Sequence, residues 1–172
     1  DRIFIVVSVL TMAATPFLMN AGKALSPRIP PLSLGFLTGR LAAAKPLVQD
    51  SLKNHVIIVG FGLNGRNVAR AAKLAGIPYV VAEMNPATVR AEQAKGEPVI
   101  YGDASYEAVL DQLGVMQALV LVVTIADPVA IRRIVATARH FNPKLYIIVR
   151  TRFIQEMDHL VQLGADEVIP EE

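Results

Sequence analysis

The chain has 172 residues, room for one ordinary domain and an extra segment, and 53% of them are hydrophobic. A net charge of +2 is too small to point to a nucleic-acid partner, and the lack of cysteine excludes disulfides, thiolate catalysis and a cysteine-ligated metal. The charge is unevenly spread: residues 1–54 carry six Lys/Arg against Asp1 and Asp50, whereas the remainder carries eleven against thirteen Asp/Glu. Because the first residue is Asp1, the chain is expected to be a fragment or a processed product.

Residues 3–22, IFIVVSVLTMAATPFLMNAG, contain no charge. At about 1.5 Å per residue a helix of that length spans about 30 Å, the thickness of a hydrocarbon core. A transmembrane helix is therefore expected over 1–22, with Pro16 tolerable where neighbouring helices satisfy the freed backbone groups. The alternatives are a signal peptide, whose charged start would be only Asp-Arg, and a buried soluble helix. Residues 23–53 hold Pro27, Pro30, Pro31 and Pro46, which prevent one continuous helix, so this stretch reads as a linker. Lys23, Arg28, Arg40 and Lys45 follow the apolar run, and the positive-inside rule then puts the C-terminal side in the cytoplasm.

From residue 54 the texture changes. Strands are predicted at 55–60 (HVIIVG), 78–83 (PYVVAE), 98–101 (PVIY), 119–124 (LVLVVT), 145–150 (LYIIVR) and 167–169 (EVI). The longer runs are nearly continuously apolar, as strands buried on both faces must be. Helices are predicted between them at 63–75, 86–95, 106–113, 127–141 and 153–163. Pro86 and Pro128 suit a first helical turn, and Gly76, Gly96, Gly114 and Gly164 suit helix ends. Six strands alternating with five helices predict an α/β fold over 54–172: a doubly wound parallel six-stranded Rossmann sheet in the order 3-2-1-4-5-6.

The chemistry-bearing motif is Gly60-Phe61-Gly62-Leu63-Asn64-Gly65. It closes an apolar strand and opens a helix, the context that makes GxGxxG specific. Gly60 permits the tight turn, Gly62 lets a pyrophosphate approach the backbone, and Gly65 lets the helix pack closely on the strand. The free N–H groups around Leu63, Asn64 and Gly65 then point at phosphate, with Asn64 or Arg66 as further contacts or merely solvated. Glu83, 23 residues after Gly60 at the end of the second strand, suits ribose hydroxyls and repels a 2′-phosphate. That favours NAD(H), AMP or ADP over NADP(H). Met84 beside it joins the candidate set.

Asp103, before Ala104, either reaches an adenine or ribose edge or, like Ser105, caps the following helix. Thr124 ends the fourth strand facing the same crevice, and Asp127 before Pro128 reads as a helix cap. Arg150 and Arg152 flank Thr151, placed either to approach a phosphate or as surface charges. No catalytic residues and no metal ligands are expected: His55, His140 and His159 do not converge, and no paired carboxylates appear. A nucleotide bound without a substrate pocket is most simply a signal.

Taken together, NHVIIVGFGLNGRNVAR, VVAEMNP, VIYGDAS, the strand-end T-x-A-D and GADEVIPEE resemble the N-terminal TrkA or RCK nucleotide-binding domain. The preceding TPFLMNAG and linker resemble the end of the membrane part of Kef-type (CPA2-like) monovalent cation:proton antiporters, so the likeness covers essentially the whole chain. It implies a non-enzymatic cytoplasmic domain at the inner (plasma) membrane of a prokaryote. Such a domain dimerises, binds NAD(H) or an AMP/ADP-type nucleotide, and gates potassium flux through a membrane transport domain of the same parent chain. By matching motif positions it implies phosphate contact at Gly60, Gly62 and Gly65, ribose contact at Glu83, and adenine-side contact at Asp103 and Ala104. Arg150 matches a strand-end arginine near the ligand. Relatives often continue past the position of Glu172 into a second regulatory subdomain. Two other classes fit less of the chain: a gating subunit of a potassium channel or Trk-type uptake system, and a soluble NAD-dependent oxidoreductase, which the apolar run at 3–22 disfavours.

Overall fold

The computed structural model describes residues 52–171. The expected membrane helix at 1–22, and the expected linker except for Leu52 and Lys53, lie outside the described residues. Among the described residues no helix is long and apolar enough to cross a membrane.

Six strands form one parallel sheet: β1 (Val56–Val59), β2 (Tyr79–Glu83), β3 (Val99–Tyr101), β4 (Val120–Val123), β5 (Tyr146–Thr151) and β6 (Glu167–Pro170). Their order is β3-β2-β1-β4-β5-β6, the order predicted from the alternation of apolar runs and helices. β1 lies between β2 and β4, and helix layers cover both its faces, so it reads VIIV without a polar residue. β6 lies at the edge of the sheet, where Pro170 removes an N–H that no inner ladder needs.

Helices α1 (Leu63–Leu74), α2 (Pro86–Gln93), α3 (Glu107–Gln112), α4 (Pro128–Phe141) and α5 (Met157–Gln162) connect the strands. On one face, Leu110, Ile131, Ile134, Val135 and Leu160 pack with Ile57, Val59, Leu121 and Ile147. On the other face, Ala69, Ala72 and Val89 of α1 and α2 pack with Ile58, Tyr79, Val81 and Val99. Neighbouring β1 residues thus serve opposite layers, as the two-residue period of a strand requires. The two longest helices present their buried residues three and four apart: Gly65, Ala69 and Ala72 on α1, and Ile131, Ile134, Val135 and Ala138 on α4.

The helix punctuation follows the sequence. Asn85 Oδ1 accepts from Ala87 N (2.9 Å) and Thr88 N (3.3 Å), and Asp127 Oδ1 accepts from Val129 N (2.9 Å) and Ala130 N (3.3 Å). Pro86 and Pro128 occupy the first helical turn. The four glycines after helices all have positive φ, and beyond α1 the Ile77 N–H reaches back to the Ala72 carbonyl at 2.9 Å.

Two sequence expectations need correction. The single helix expected at 153–163 is a 3-10 turn, Ile154–Glu156, followed by α5. The Phe153 N–H is taken by the Thr151 hydroxyl at 3.2 Å, and Glu156 is drawn to Arg132 at 2.7 Å, so the chain winds tightly before an α-helix begins. Neither Asp103 nor Ser105 caps α3; Tyr106 occupies that position without a side-chain hydrogen bond. Asp103 Oδ1 instead accepts from Ser105 N at 2.9 Å, closing a local turn. Ile131, Ile134, Val135 and Leu160 are buried in the core.

Candidate functional site

The carboxyl ends of parallel strands lie along one end of the sheet, and the order in which strands are added reverses between β1 and β4. Such a switch point opens a crevice between connections that depart in opposite directions. Gly60 and the loop to α1, Glu83, Asp103, Thr124 and Arg150 all come from that end.

The three glycines of the loop do different work. Gly60 has φ +93°, and a Cβ there would lie 2.9 Å from Ile125 Cγ2 and 3.0 Å from Thr124 Oγ1. A Cβ on Gly65 would lie 2.0 Å from the Gly60 carbonyl oxygen, so α1 approaches β1 this closely only with glycine. Gly62 has φ −71° and ψ −161°, ordinary extended values, and a Cβ there would meet nothing within 4 Å. Nothing in the described protein asks for glycine at position 62.

Gly62 is also the residue before α1, and no side chain caps that helix. The first intrahelical bond runs from Arg66 N to the Gly62 carbonyl at 3.0 Å, so the N–H groups of Leu63, Asn64 and Gly65 precede the helical ladder. They add to the positive end of the helix dipole, whereas α2 and α4 have theirs closed by Asn85 and Asp127. Leu63 is 77% exposed and Met84 60%, so both lie open at this end.

Glu83 has a second task that the sequence hides. One carboxylate oxygen accepts from Phe61 N and the other from Asn85 N, each at 2.7 Å. The carboxylate therefore ties the glycine loop to the end of β2, across 22 residues of sequence that no local pattern relates. Each oxygen keeps a further lone pair. Thr124 works similarly: its hydroxyl is placed between the carbonyls of Val59 (3.0 Å) and Gly60 (3.2 Å), bracing the turn from below. Arg66 donates to the Phe61 carbonyl at 3.2 Å, with its guanidinium 5.6 Å from the centre of the Phe61 ring.

Other candidates are turned elsewhere. Ala104 is 2% exposed and belongs to the core, so the adenine-side contact that the resemblance implies there is not open at the surface of this structure. Phe61 is likewise buried, facing Ala69 and Ile58, and only its backbone serves the loop. Arg150 pairs with Glu171 at 2.8 Å, and Arg152 with the same carboxylate at 2.7 Å. Neither arginine is a free surface charge, and no bond brings either to the glycine loop. Asp127 is the helix cap that its neighbour Pro128 suggested.

His55 is fully buried, its Nε2 donating to the Leu113 carbonyl at 2.8 Å, while His140 and His159 lie exposed on α4 and α5. Among the described residues, no three His, Asp or Glu side chains are grouped to hold a metal.

The family model described as the TrkA-N domain matches residues 56–171. The chain is 36% identical over 123 residues, 72% of its length, to the putative K(+) efflux antiporter KefB of Alkalimonas amylolytica, covering 19% of that protein. Among solved structures it resembles the TrkA-N domain of inner membrane protein ybaL from Escherichia coli, with TM-score 0.67 and 28% identity, over 70% of this chain and 89% of that one. It also resembles the Shewanella denitrificans Kef CTD in AMP-bound form, with TM-score 0.61 and 28% identity, over 69% of this chain and 71% of that one. The chain spans only 14–22% of the length of the first three antiporters it matches. The extent of the family match, from the first strand through Glu171, places the glycine loop, Glu83 and the GADEVIPE run within one shared unit: the chain belongs to the TrkA-N domain family.

Proposed function

We propose that residues 54–172 are a nucleotide-sensing domain that regulates potassium (monovalent cation):proton antiport. In this reading residues 1–22 supply the last transmembrane helix of a transport domain and 23–53 the linker. The sensing domain faces the cytoplasm of a prokaryote. The observation that carries the reading is Gly62: a glycine at an uncapped helix end, with open space above it and no neighbour that requires it. That space and the free N–H groups fit a phosphate, and the remaining lone pairs of Glu83 fit ribose hydroxyls. Leu63, Asn64, Met84, Asp103 and Thr124 complete the proposed lining, with Ala104 buried next to Asp103 in sequence and Arg150 entering only if it leaves Glu171. The ligand is NAD(H) or an AMP/ADP-type adenine nucleotide. AMP is supported by the bound state of the Kef CTD, and transport regulation by the antiporter names of the relatives.

With no convergent acid, base or nucleophile among the described residues, the nucleotide acts as a signal. It changes transport only by binding two states of the gate unequally; a tenfold preference supplies about 1.4 kcal/mol, enough to shift a balanced equilibrium decisively.

The test has two readouts. Calorimetry on the chain should detect AMP or NADH, with NADPH weaker; Gly62→Val should abolish binding, and Glu83→Ala should weaken it by about 1–3 kcal/mol. Equal or tighter NADPH binding would remove the assignment to Glu83. In proteoliposomes holding the full-length parent, potassium-dependent pH change should respond to nucleotide, and the response should vanish with Gly62→Val. Turnover of NADH by the chain with any substrate would overturn the regulatory reading. A homodimer belongs to the same proposal. Phe153 and Ile154 remain exposed in the late segment and suit such a contact, and a monomer by sedimentation would remove it.

A further inference from the structure

Beside α1 a cleft of about 370 Å³ opens between that helix and the segment from α2 to β3, with Phe61 of the glycine loop in its wall. Its charges are layered. Glu92 and Glu97 lie at the base, their side chains 8% and 17% exposed, while Arg66, Lys73 and Lys95 stand at the mouth, 52–65% exposed. Both acids are already matched. Glu92 pairs with Arg66 at 3.2 Å and with Lys95 at 2.9 Å. Glu97 pairs with Lys73 at 2.7 Å and accepts from the Tyr79 hydroxyl.

Arg70 is the remainder. It lines the same cleft, and among the described residues it has no carboxylate partner. It stands four residues after Arg66 and three before Lys73, so three cations share one face of α1. Like charges at these spacings oppose helix formation, and a helix that keeps them gains from an anion placed between them. Four cations against two carboxylates leave the mouth with a surplus of two positive charges in a part-enclosed space, where attraction is screened less than on open surface.

We propose that this cleft is a second ligand site, separate from the nucleotide crevice, that takes a compact phosphate-class polyanion through Arg70, with Arg66 and Lys73 beside it. The carboxylates at the base hold the flanking cations in place. Planar guanidinium groups at 66 and 70 offer forked donors suited to phosphate oxygens. The site stands whether or not the nucleotide reading is correct, since Arg70, Lys73 and Lys95 take no part in the crevice and Arg66 is turned to Glu92 and the Phe61 carbonyl. Its links to the crevice are Phe61, which lines the cleft while its N–H is held by Glu83, and Arg66, which donates to the Phe61 carbonyl.

The experiment is calorimetric titration of inorganic pyrophosphate into the whole chain and three variants. Arg70→Ala removes a side chain that makes no ion pair among the described residues, so loss of folding does not confuse the result. The proposal expects binding that persists in Gly62→Val, weakens at least tenfold in Arg70→Ala, and is largely recovered in Arg70→Lys. Absence of pyrophosphate binding by the unmodified chain would overturn it. So would binding unaffected by Arg70→Ala, or binding abolished by Gly62→Val, which would assign the phosphate to the glycine loop instead.

Discussion

A Cβ at position 65 would sit 2.0 Å from the Gly60 carbonyl oxygen, deep inside contact distance, while one at position 62 would sit in open space. The same residue type within one six-residue motif thus answers to two different demands, packing and access. Gly65→Ala should destabilise the fold by about 1–3 kcal/mol or more, because backbone must move to admit the methyl. Gly62→Ala should leave the thermal midpoint nearly unchanged while weakening nucleotide binding. Thermal unfolding and calorimetry on the same pair of variants check this, and equal destabilisation by both would contradict the packing argument. Glu83 combines the two demands in one side chain, since its carboxylate both holds the Phe61 N–H and faces the edge proposed for the ribose.

At the scale of elements, the helices differ in how their ends are closed. α2 and α4 are capped by Asn85 and Asp127, whose oxygens satisfy two backbone donors each. Asn85→Ala and Asp127→Ala should each cost about 1 kcal/mol, read as a lower urea midpoint with an unchanged slope. A change in slope would instead mean that the unfolded or native state had altered in compactness. Arg139, in the last turn of α4, serves the opposite end. It donates to the carbonyls of Pro143, Leu145 and Gly164 and pairs with Asp166 at 2.7 Å, binding α4 to the connections on either side of β5 and to the approach to β6. A planar five-donor group can satisfy that many acceptors, and a lysine cannot.

Across the whole described domain, the cluster around Glu97 joins α1, β2 and the segment before β3. The Lys73 hydrogen bond, then that of Tyr79, hold the Glu97 carboxyl below its ordinary value of 4.5, against the opposing effect of burial. Burial, then the bond to Glu97 and its charge, raise the Tyr79 phenol above its usual range. A carboxylate with a lowered folded pKa adds stability that is complete above its unfolded value and is lost as pH falls through the folded one. Relative to Glu97→Gln, the unmodified chain should therefore hold a constant advantage at neutral pH, and that advantage should shrink as pH drops below 4.5. Thermal midpoints measured from neutral pH into acid would reveal it. An advantage that grows on acidification would show that the sign, and so the pairing, is wrong.

The sheet order, the parallel pairing, the helix start at Pro86, the cap at Asp127, and the glycine loop with Glu83 were all legible in the sequence. They rest on local chemistry: two-sided apolar strands, proline in first turns, glycine at positive φ, and a fixed spacing between β1 and the end of β2. Tertiary structure alone decided what joins residues distant in the chain. The Glu83 grip on Phe61, the pairing of both Arg150 and Arg152 with Glu171, the burial of Ala104, and the cleft that gathers Arg70 with Glu92 and Glu97 leave no periodic trace. The same holds for Ile131, Ile134 and Val135, whose helical spacing identifies an apolar face but not its partner. Sequence period reports which side of an element is apolar or charged, and only the packing of one element on another determines what that side meets.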